Sequence, residues 1–395
     1  MALSLAGIIL LGLLFNQAFE KIRLPGLLGM LLLGIAMGPY GFNLISKEIL
    51  TISSDLRKIA LIIILLRAGL GLNKDTLNKV GIPAIKMSCV PGIFEGLTIM
   101  FVATHLLNIS IIEAGILGFI IAAVSPAVIV PSMLDLMERK VGEDKGIPTL
   151  ILAGASVDDV FAITLFTAFL GLYGGSDVNL LRQVVNIPIS IVLGIGLGVM
   201  VGFLMVFLFK NYHMRDTKKV LIILGSAIAL NSIEEFLEGF IPIASLLGVM
   251  TIGFILLENY PSVAKRVSNK FNKIWVFAQL LLFVLVGAEV NINVAIDSGF
   301  IGLIIITIGL IARSIGVLVS VAGTDLNKKE KLFCVISYVP KATVQAAIGA
   351  VPLAMGVASG EIILAIAVLS ILVTAPLGVI GIRATSDKWL TVSEK

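Results

Sequence analysis

The stretch GASVDDV, Gly154 to Val160, sets two aspartates, Asp158 and Asp159, side by side inside a long apolar run. Ionised at mid-bilayer, each would cost about 2.5 to 3.5 kcal/mol, roughly 5 to 7 for the pair, and folding alone would not select that. Two carboxylates in a poorly hydrated site repel each other, so at least one can exchange a proton near neutral pH. Their oxygens are also the ligands that a hard cation such as sodium prefers. A proton and a small cation would therefore compete for the same atoms. Neighbours on a helix diverge by about 100°, so one carboxylate can face an ion while the other faces a cationic partner. A second stretch, AAVSPAVIVPSM, adds ligands. Its Pro126 and Pro131 remove backbone donors and release the carbonyls of Ala122 and Ala127. The candidate ion and proton site is thus Asp158, Asp159, the Ser125 hydroxyl and freed carbonyls near Val124.

The elements that carry these residues follow from composition. Hydrophobic residues make up 58% of the 395 and charged residues 14%. Mean hydropathy is +1.08. A soluble domain does not carry that surface, so the chain reads as an all-α, multi-pass membrane protein. Apolar runs long enough to cross a roughly 30 Å hydrocarbon core recur about thirteen times, near 3–19, 24–42, 56–72, 81–107, 111–137, 146–173, 184–209, 217–233, 242–258, 271–289, 296–322, 329–356 and 360–383. The first has no basic residues ahead of it, and Lys21 and Arg23 follow it, so it reads as a retained helix rather than a secretory signal. The two cysteines, Cys89 and Cys334, each lie in an apolar segment and suggest neither a disulfide framework nor a thiolate metal site.

Lysine and arginine set the topology. Alternate loops and the C-terminal tail hold about 21 of them, including Lys210, Arg215, Lys218 and Lys219, against about four in the other loops. That places the N-terminus outside and the C-terminus in the cytoplasm. The net charge of +4 needs no nucleic acid, since basic loops facing anionic lipid account for it.

Four cations remain inside segments: Arg67, Lys86, Arg313 and Lys341. Lys86 is near a segment end and can snorkel. Arg67 reads as structural or lipid-facing at its end. Glu95 and Arg313 read as a core ion pair, since arginine stays protonated and cannot carry the proton. Lys341 is either a structural partner or, because a buried lysine can lose its proton, a participant in coupling. Asp135, Glu258 and Glu289 fall near segment ends and read as interfacial. His213 lies in a basic loop. Segment 12, SYVPKATVQAAIGAVP, is interrupted at Pro340, as segment 5 is at Pro126. Broken helices at membrane depth line cavities, and their exposed ends bind ions. Segments 5 and 12 are seven apart, and an odd offset turns matching helices over. The thirteen segments then parse as two inverted six-helix repeats, 1 to 6 and 8 to 13, with segment 7 between them.

These motifs resemble the monovalent cation/proton antiporter family, in the branch of the bacterial sodium/proton antiporters and the mammalian sodium/hydrogen exchangers most like them. ASVDDVFAI is similar to the family's two-aspartate ion site, VSPAVIVPSM to its first crossing helix, and PKATVQAAIGAVP with LSILVTAPLG to its second crossing helix and the one after. The resemblance implies a homodimer working by an elevator-like movement. It implies a dimerisation domain (1–80 and 217–290), a linker helix (174–216) and a mobile core domain (81–173 and 291–395, with the tail). It makes Asp159 the main ion and proton carrier and Asp158 its assistant, with Ser125 beside them. Electrogenic bacterial members pair the first aspartate with a lysine where this chain has Arg313, so the resemblance leans to electroneutral exchange. The expected protein is then no enzyme and needs no cofactor. It exchanges a monovalent cation, sodium or lithium, for protons across the cell membrane, among membrane lipids. Potassium/proton exchange and sodium-coupled symport of a small organic anion are the alternatives. An intramembrane aspartyl protease would need its aspartates on two different helices.

Overall fold

The computed structural model describes residues 1–22, 24–71, 74–174, 180–237 and 243–391. Among them the apolar segments form helices and no strand occurs. The first three segments are α1 (Ala2–Lys21), α2 (Gly26–Met37), the short α3 (Lys47–Thr51) and α4 (Ser53–Gly71). The fourth is divided into α5 (Lys74–Met87) and α6 (Val90–Leu106), the fifth into α7 (Ile111–Ala122) and α8 (Pro126–Glu138), and the sixth is the continuous α9 (Ile147–Tyr173). Then follow α10 (Leu180–Asn211), α11 (Asp216–Phe236), α12 (Ser245–Asn259) and α13 (Pro261–Ala288). The remainder is α14 (Ile292–Asp297), α15 (Gly299–Ser320), α16 (Lys328–Ser337), α17 (Thr343–Ile348), α18 (Val351–Ala354) and α19 (Gly360–Trp389). Arg23, whose charge entered the topology reading, and the tail residues 392–395 lie outside the described residues.

Among the described residues, six helical stretches are long and apolar enough to cross a membrane: Ala2–Lys21, Gly81–Leu106, Val192–Asn211, Pro261–Ala288, Gly299–Ser320 and Gly360–Trp389. Shorter apolar helices, among them Gly26–Met37, Ile111–Ala122 and Ser245–Asn259, pack between them. Large apolar side chains such as Leu3, Phe101, Phe207 and Phe300 are exposed, as a hydrocarbon solvent permits. Within α5 the backbone bends at Gly81, whose φ of 55° only glycine adopts without strain. Segment 5 breaks at Ala123 to Ser125, all before Pro126, which stands first in α8 where no backbone donor is needed. Pro131, which also lacks a backbone donor, does not interrupt the helix. Helix α8 runs through that position, since the loss of one internal hydrogen bond does not end a helix held by its neighbours.

Packing is closest within two sets of helices. One contains α1, α2, α4 and α10 to α13; the other contains α5 to α9 and α15 to α19. Apolar burial does not drive helix association in lipid, so small residues that let backbones touch carry much of the attraction. Two crossings in the first set are built that way. Gly34 of α2 meets Gly287 of α13, and Gly69 of α4 meets Gly253 of α12. A Cβ on Gly34 would overlap the Val284 carbonyl, and one on Gly69 the Met250 carbonyl.

In the second set, both broken segments start alike. Ser110 and Glu113 form a capping box on α7, and Asn327 and Glu330 form one on α16. Each acid then reaches across to the start of another long helix. Glu113 accepts from the backbone N–H and hydroxyl of Ser359 before α19, and Glu330 accepts from Lys145 Nζ at 2.9 Å, before α9.

Gly69→Ala is expected to force α4 from α12 and to cost at least about 2 kcal/mol. This is read as a lower thermal midpoint of the detergent-purified protein. Gly225→Ala, where a Cβ meets nothing within 4 Å, is expected to leave the midpoint unchanged.

Candidate functional site

The two breaks cross and bond to each other. The Ser125 N–H donates to the Pro340 carbonyl at 2.8 Å. The Ser125 hydroxyl lies 3.5 Å from both the Thr343 hydroxyl and the Thr343 nitrogen. Ser125 is fully buried. Four half-helix ends therefore meet in one apolar interior. The ends that terminate α7 and α16 leave carbonyls without partners and carry partial negative charge.

Arg313 satisfies both. Its Nε donates to the carbonyl of Tyr338, the cap of α16, at 2.7 Å, and its Nη1 donates to the carbonyl of Ala122, the last residue of α7. The same guanidinium pairs with Glu95 at 2.8 Å and Asp158 at 2.9 Å, and stacks 5.3 Å from the Tyr338 ring. Its reach depends on glycine. Gly316 packs on the Pro91 backbone and Gly309 on Ile99, which bring α15 against α6. The expected Glu95–Arg313 pair is present, and its geometry is wider than a pair. Lys341 Nζ donates to the same Glu95 oxygen at 2.6 Å, and the Lys341 N–H donates to Thr374 Oγ1 at 2.8 Å.

The tandem aspartates part as their helical divergence requires. Asp158 Oδ2 accepts from Arg313 and from the Val124 N–H at 2.7 Å. Asp159, 7% exposed, has no hydrogen-bond partner on Oδ1. Three carboxylates thus face two cations, and the carboxylate left over is Asp159.

The freed carbonyls expected to serve an ion are otherwise engaged. The Ala122 oxygen is taken by Arg313, and those of Ile120, Ile121 and Ala123 accept from Gln345 Nε2 at 3.0, 3.2 and 2.8 Å. Val124 meets the site through its N–H. Sequence reasoning missed Gln345, although an amide within the apolar half-helix TVQAAI was the available signal. It also missed Tyr338, which seats against Gly154, one turn before Asp158.

The other charged residues are placed elsewhere. Arg67 donates to Asn272 at 2.8 Å and lies over Trp275. Lys86 is exposed at the end of α5. Asp135 pairs with Arg139 at an exposed position. Glu258 accepts from the Lys74 N–H. Glu289 is more than interfacial: it forms a 2.8 Å pair with the buried Arg57 and accepts from Ser53. His213 is exposed in its loop.

An all-helical membrane fold with crossing broken helices and a buried carboxylate beside a fixed ion-pair network defines an ion-coupled transporter rather than an enzyme. The family described as "Sodium/hydrogen exchanger, transmembrane" matches residues 6–388, and the chain belongs to that family. It is 37% identical over 372 residues to the human sodium/hydrogen exchanger 9B2, covering 90% of this chain and 68% of that one. To human sodium/hydrogen exchanger 9B1 it is 33% identical over 392 residues, covering 93% and 73%. Its fold is similar to the sodium proton antiporter MjNhaP1 from Methanocaldococcus jannaschii, with a TM-score of 0.84 at 20% identity over 98% of this chain and 97% of that one.

Gln345→Leu keeps approximate volume and removes the donor from three carbonyls. Leaving buried acceptors unpaired costs about 1 to 3 kcal/mol each. The variant is expected to lose thermal stability by at least about 2 kcal/mol, and an unchanged midpoint in a thermal-shift assay would show that the three bonds do not hold the crossing.

Proposed function

We propose that the protein is a secondary antiporter that exchanges sodium for protons, with the two competing at Asp159 and assisted by Asp158. The observation that carries this is the charge pattern at the crossing: Asp158 and Glu95 are committed to Arg313 and Lys341, while Asp159 Oδ1 is buried without a partner. One proton or one monovalent cation on Asp159 neutralises the cluster. Occupancy by either excludes the other, and an empty site leaves a buried charge that opposes movement through the bilayer. Ser125 and the Val124 carbonyl are the remaining ligands in this proposal, and Asp159, Asp158 and Ser125 hold the sodium. Lithium is the second cation the site would take.

The exchange is assigned to an elevator movement in a homodimer. The core comprises residues 81–173 and 291–395, the dimerisation domain 1–80 and 217–290, and the linker helix 174–216. Two features support thirteen spans in inverted repeats. The crossing of segments 2 and 10 at Gly34 and Gly287 corresponds, on shifting by seven segments, to that of 9 and 3 at Gly253 and Gly69. The capping acid of segment 5 ties to the start of 13, and that of segment 12 to the start of 6. The basic loops support an outside N-terminus and a cytoplasmic C-terminus in the cell membrane.

In acid-loaded proteoliposomes without organic solute, added sodium is expected to expel protons. Asp159→Asn is expected to abolish this while the protein stays folded and dimeric, and Asp158→Asn to impair it severely. Normal sodium-driven proton flux through purified Asp159→Asn protein would remove Asp159 from the mechanism. A requirement for an organic anion would favour symport, and a response to potassium alone would favour potassium/proton exchange.

Because Arg313 stays charged and bonded to both acids, one proton should move per cation. An imposed membrane potential is then expected to leave the rate nearly unchanged. Steady acceleration by potential, with proton leak controlled, would mean net charge movement and would bring in Lys341 or Asp158 as a second carrier.

A further inference from the structure

Helix α10 ends at Asn211 and α11 starts at Asp216. The turn between them and the opening turns of α13 enclose a cleft of about 410 Å³, lined by His213, Arg215, Asp216, Lys219, Arg266 and Lys270. Histidine aside, four cations face one carboxylate there. Asp216 pairs with Arg266 at 2.9 Å and lies 3.9 Å from Lys219 Nζ. Arg215 and Lys270 enter no ion pair among the described residues. The start of α11 adds partial positive charge.

Marking the inner face of a membrane needs only cations in water, and most of the basic residues in the loops are of that kind. Lys219 is not. It is 5% exposed, with its ammonium 5.6 Å from the Phe209 ring. A lysine held in the wall of a cleft where like charges prevail is raised in energy, and an anion in the cleft offsets that cost. The excess of positive charge suits a phosphomonoester, which carries about −1.5 to −2 at neutral pH. A zwitterionic headgroup suits it less, because it brings a cation of its own. The cleft also opens onto an apolar surface. Thr217 lines it, and Leu221, one turn further on the same face of α11, is exposed. Phe203 and Phe207, one turn apart towards the end of α10, are exposed as well. Cations at the membrane surface above exposed apolar side chains match a molecule with a charged head and hydrocarbon tails.

We propose that this cleft binds the phosphomonoester headgroup of an anionic lipid, whose acyl chains lie along the exposed apolar side chains of α10 and α11. The bound headgroup ties the α10–α11 turn to α13. The site stands apart from the exchange reaction proposed above, and its test reads binding without transport.

The test is the thermal midpoint of the detergent-purified full chain, titrated with dioctanoyl phosphatidic acid at fixed detergent and salt. The lipid is expected to raise the midpoint saturably. Arg215→Gln combined with Lys270→Gln removes two cations and breaks no internal ion pair. The pair of substitutions is expected to leave the lipid-free midpoint unchanged and to raise the half-saturating lipid concentration about tenfold or more. Lys328→Gln combined with Lys329→Gln, exposed at the start of α16, is expected to keep half-saturation within about twofold of wild type. An equal loss in both double variants means general surface attraction and overturns the site. An equal midpoint shift from dioctanoyl phosphatidylcholine, or from inorganic phosphate at the same concentration, overturns the lipid phosphomonoester as its occupant. Should the first double variant not be recovered folded, the two single substitutions decide, and unchanged half-saturation in both overturns the site.

Discussion

Everything at the centre of this protein depends on one guanidinium. Arg313 binds the carbonyl ends of two broken helices and two of three buried carboxylates. Its planar fork suits that task, since its donors diverge in fixed directions that a lysine ammonium cannot reproduce. Breaking such a buried network by removing one partner costs about 3 to 5 kcal/mol, because the other charges are left uncompensated. Arg313 therefore makes the break in each helix affordable and fixes which aspartate is spoken for. Asp158 is engaged by that network, and Asp159 Oδ1 is left buried without a hydrogen-bond partner.

The surrounding fold serves that arrangement. Close glycine contacts bring α15 onto α6 so that Arg313 reaches Glu95, and Gly154 leaves room for Tyr338 against α9. Gln345 holds three more carbonyls of α7 from the partner break. The half-helices are consequently tied at both ends, by capping boxes where they start and by cross-bonds where they stop. In the other helix set, Arg57 and Glu289 form a separate buried pair, so the two groups of helices each carry their own internal charge compensation.

Much of this was legible in the sequence. The tandem aspartates and the interruptions at Pro126 and Pro340 are local patterns whose physical cost is visible in a single chain. The Glu95–Arg313 pairing was legible too, because two opposite charges in apolar helices must find each other. What was not legible is the choice among partners 191 to 246 residues apart. That Arg313 would take the Ala122 carbonyl, that Lys341 would share a Glu95 oxygen, and that Gln345 would fill the remaining carbonyls depends on how the two breaks cross. At Pro131, by contrast, the helix runs on, because packing overrides a local helix-breaking tendency.

The most direct test of competition at a single carboxylate is proton release on sodium binding to the detergent-purified protein, measured with a pH indicator in weak buffer across about pH 6 to 8.5. Sodium added to the protonated protein should displace up to one proton per sodium bound, with the yield falling as pH rises and the site empties of protons, and Asp159→Asn should release none. Sodium binding without proton release at any pH, or undiminished release from Asp159→Asn, would contradict exchange at this residue.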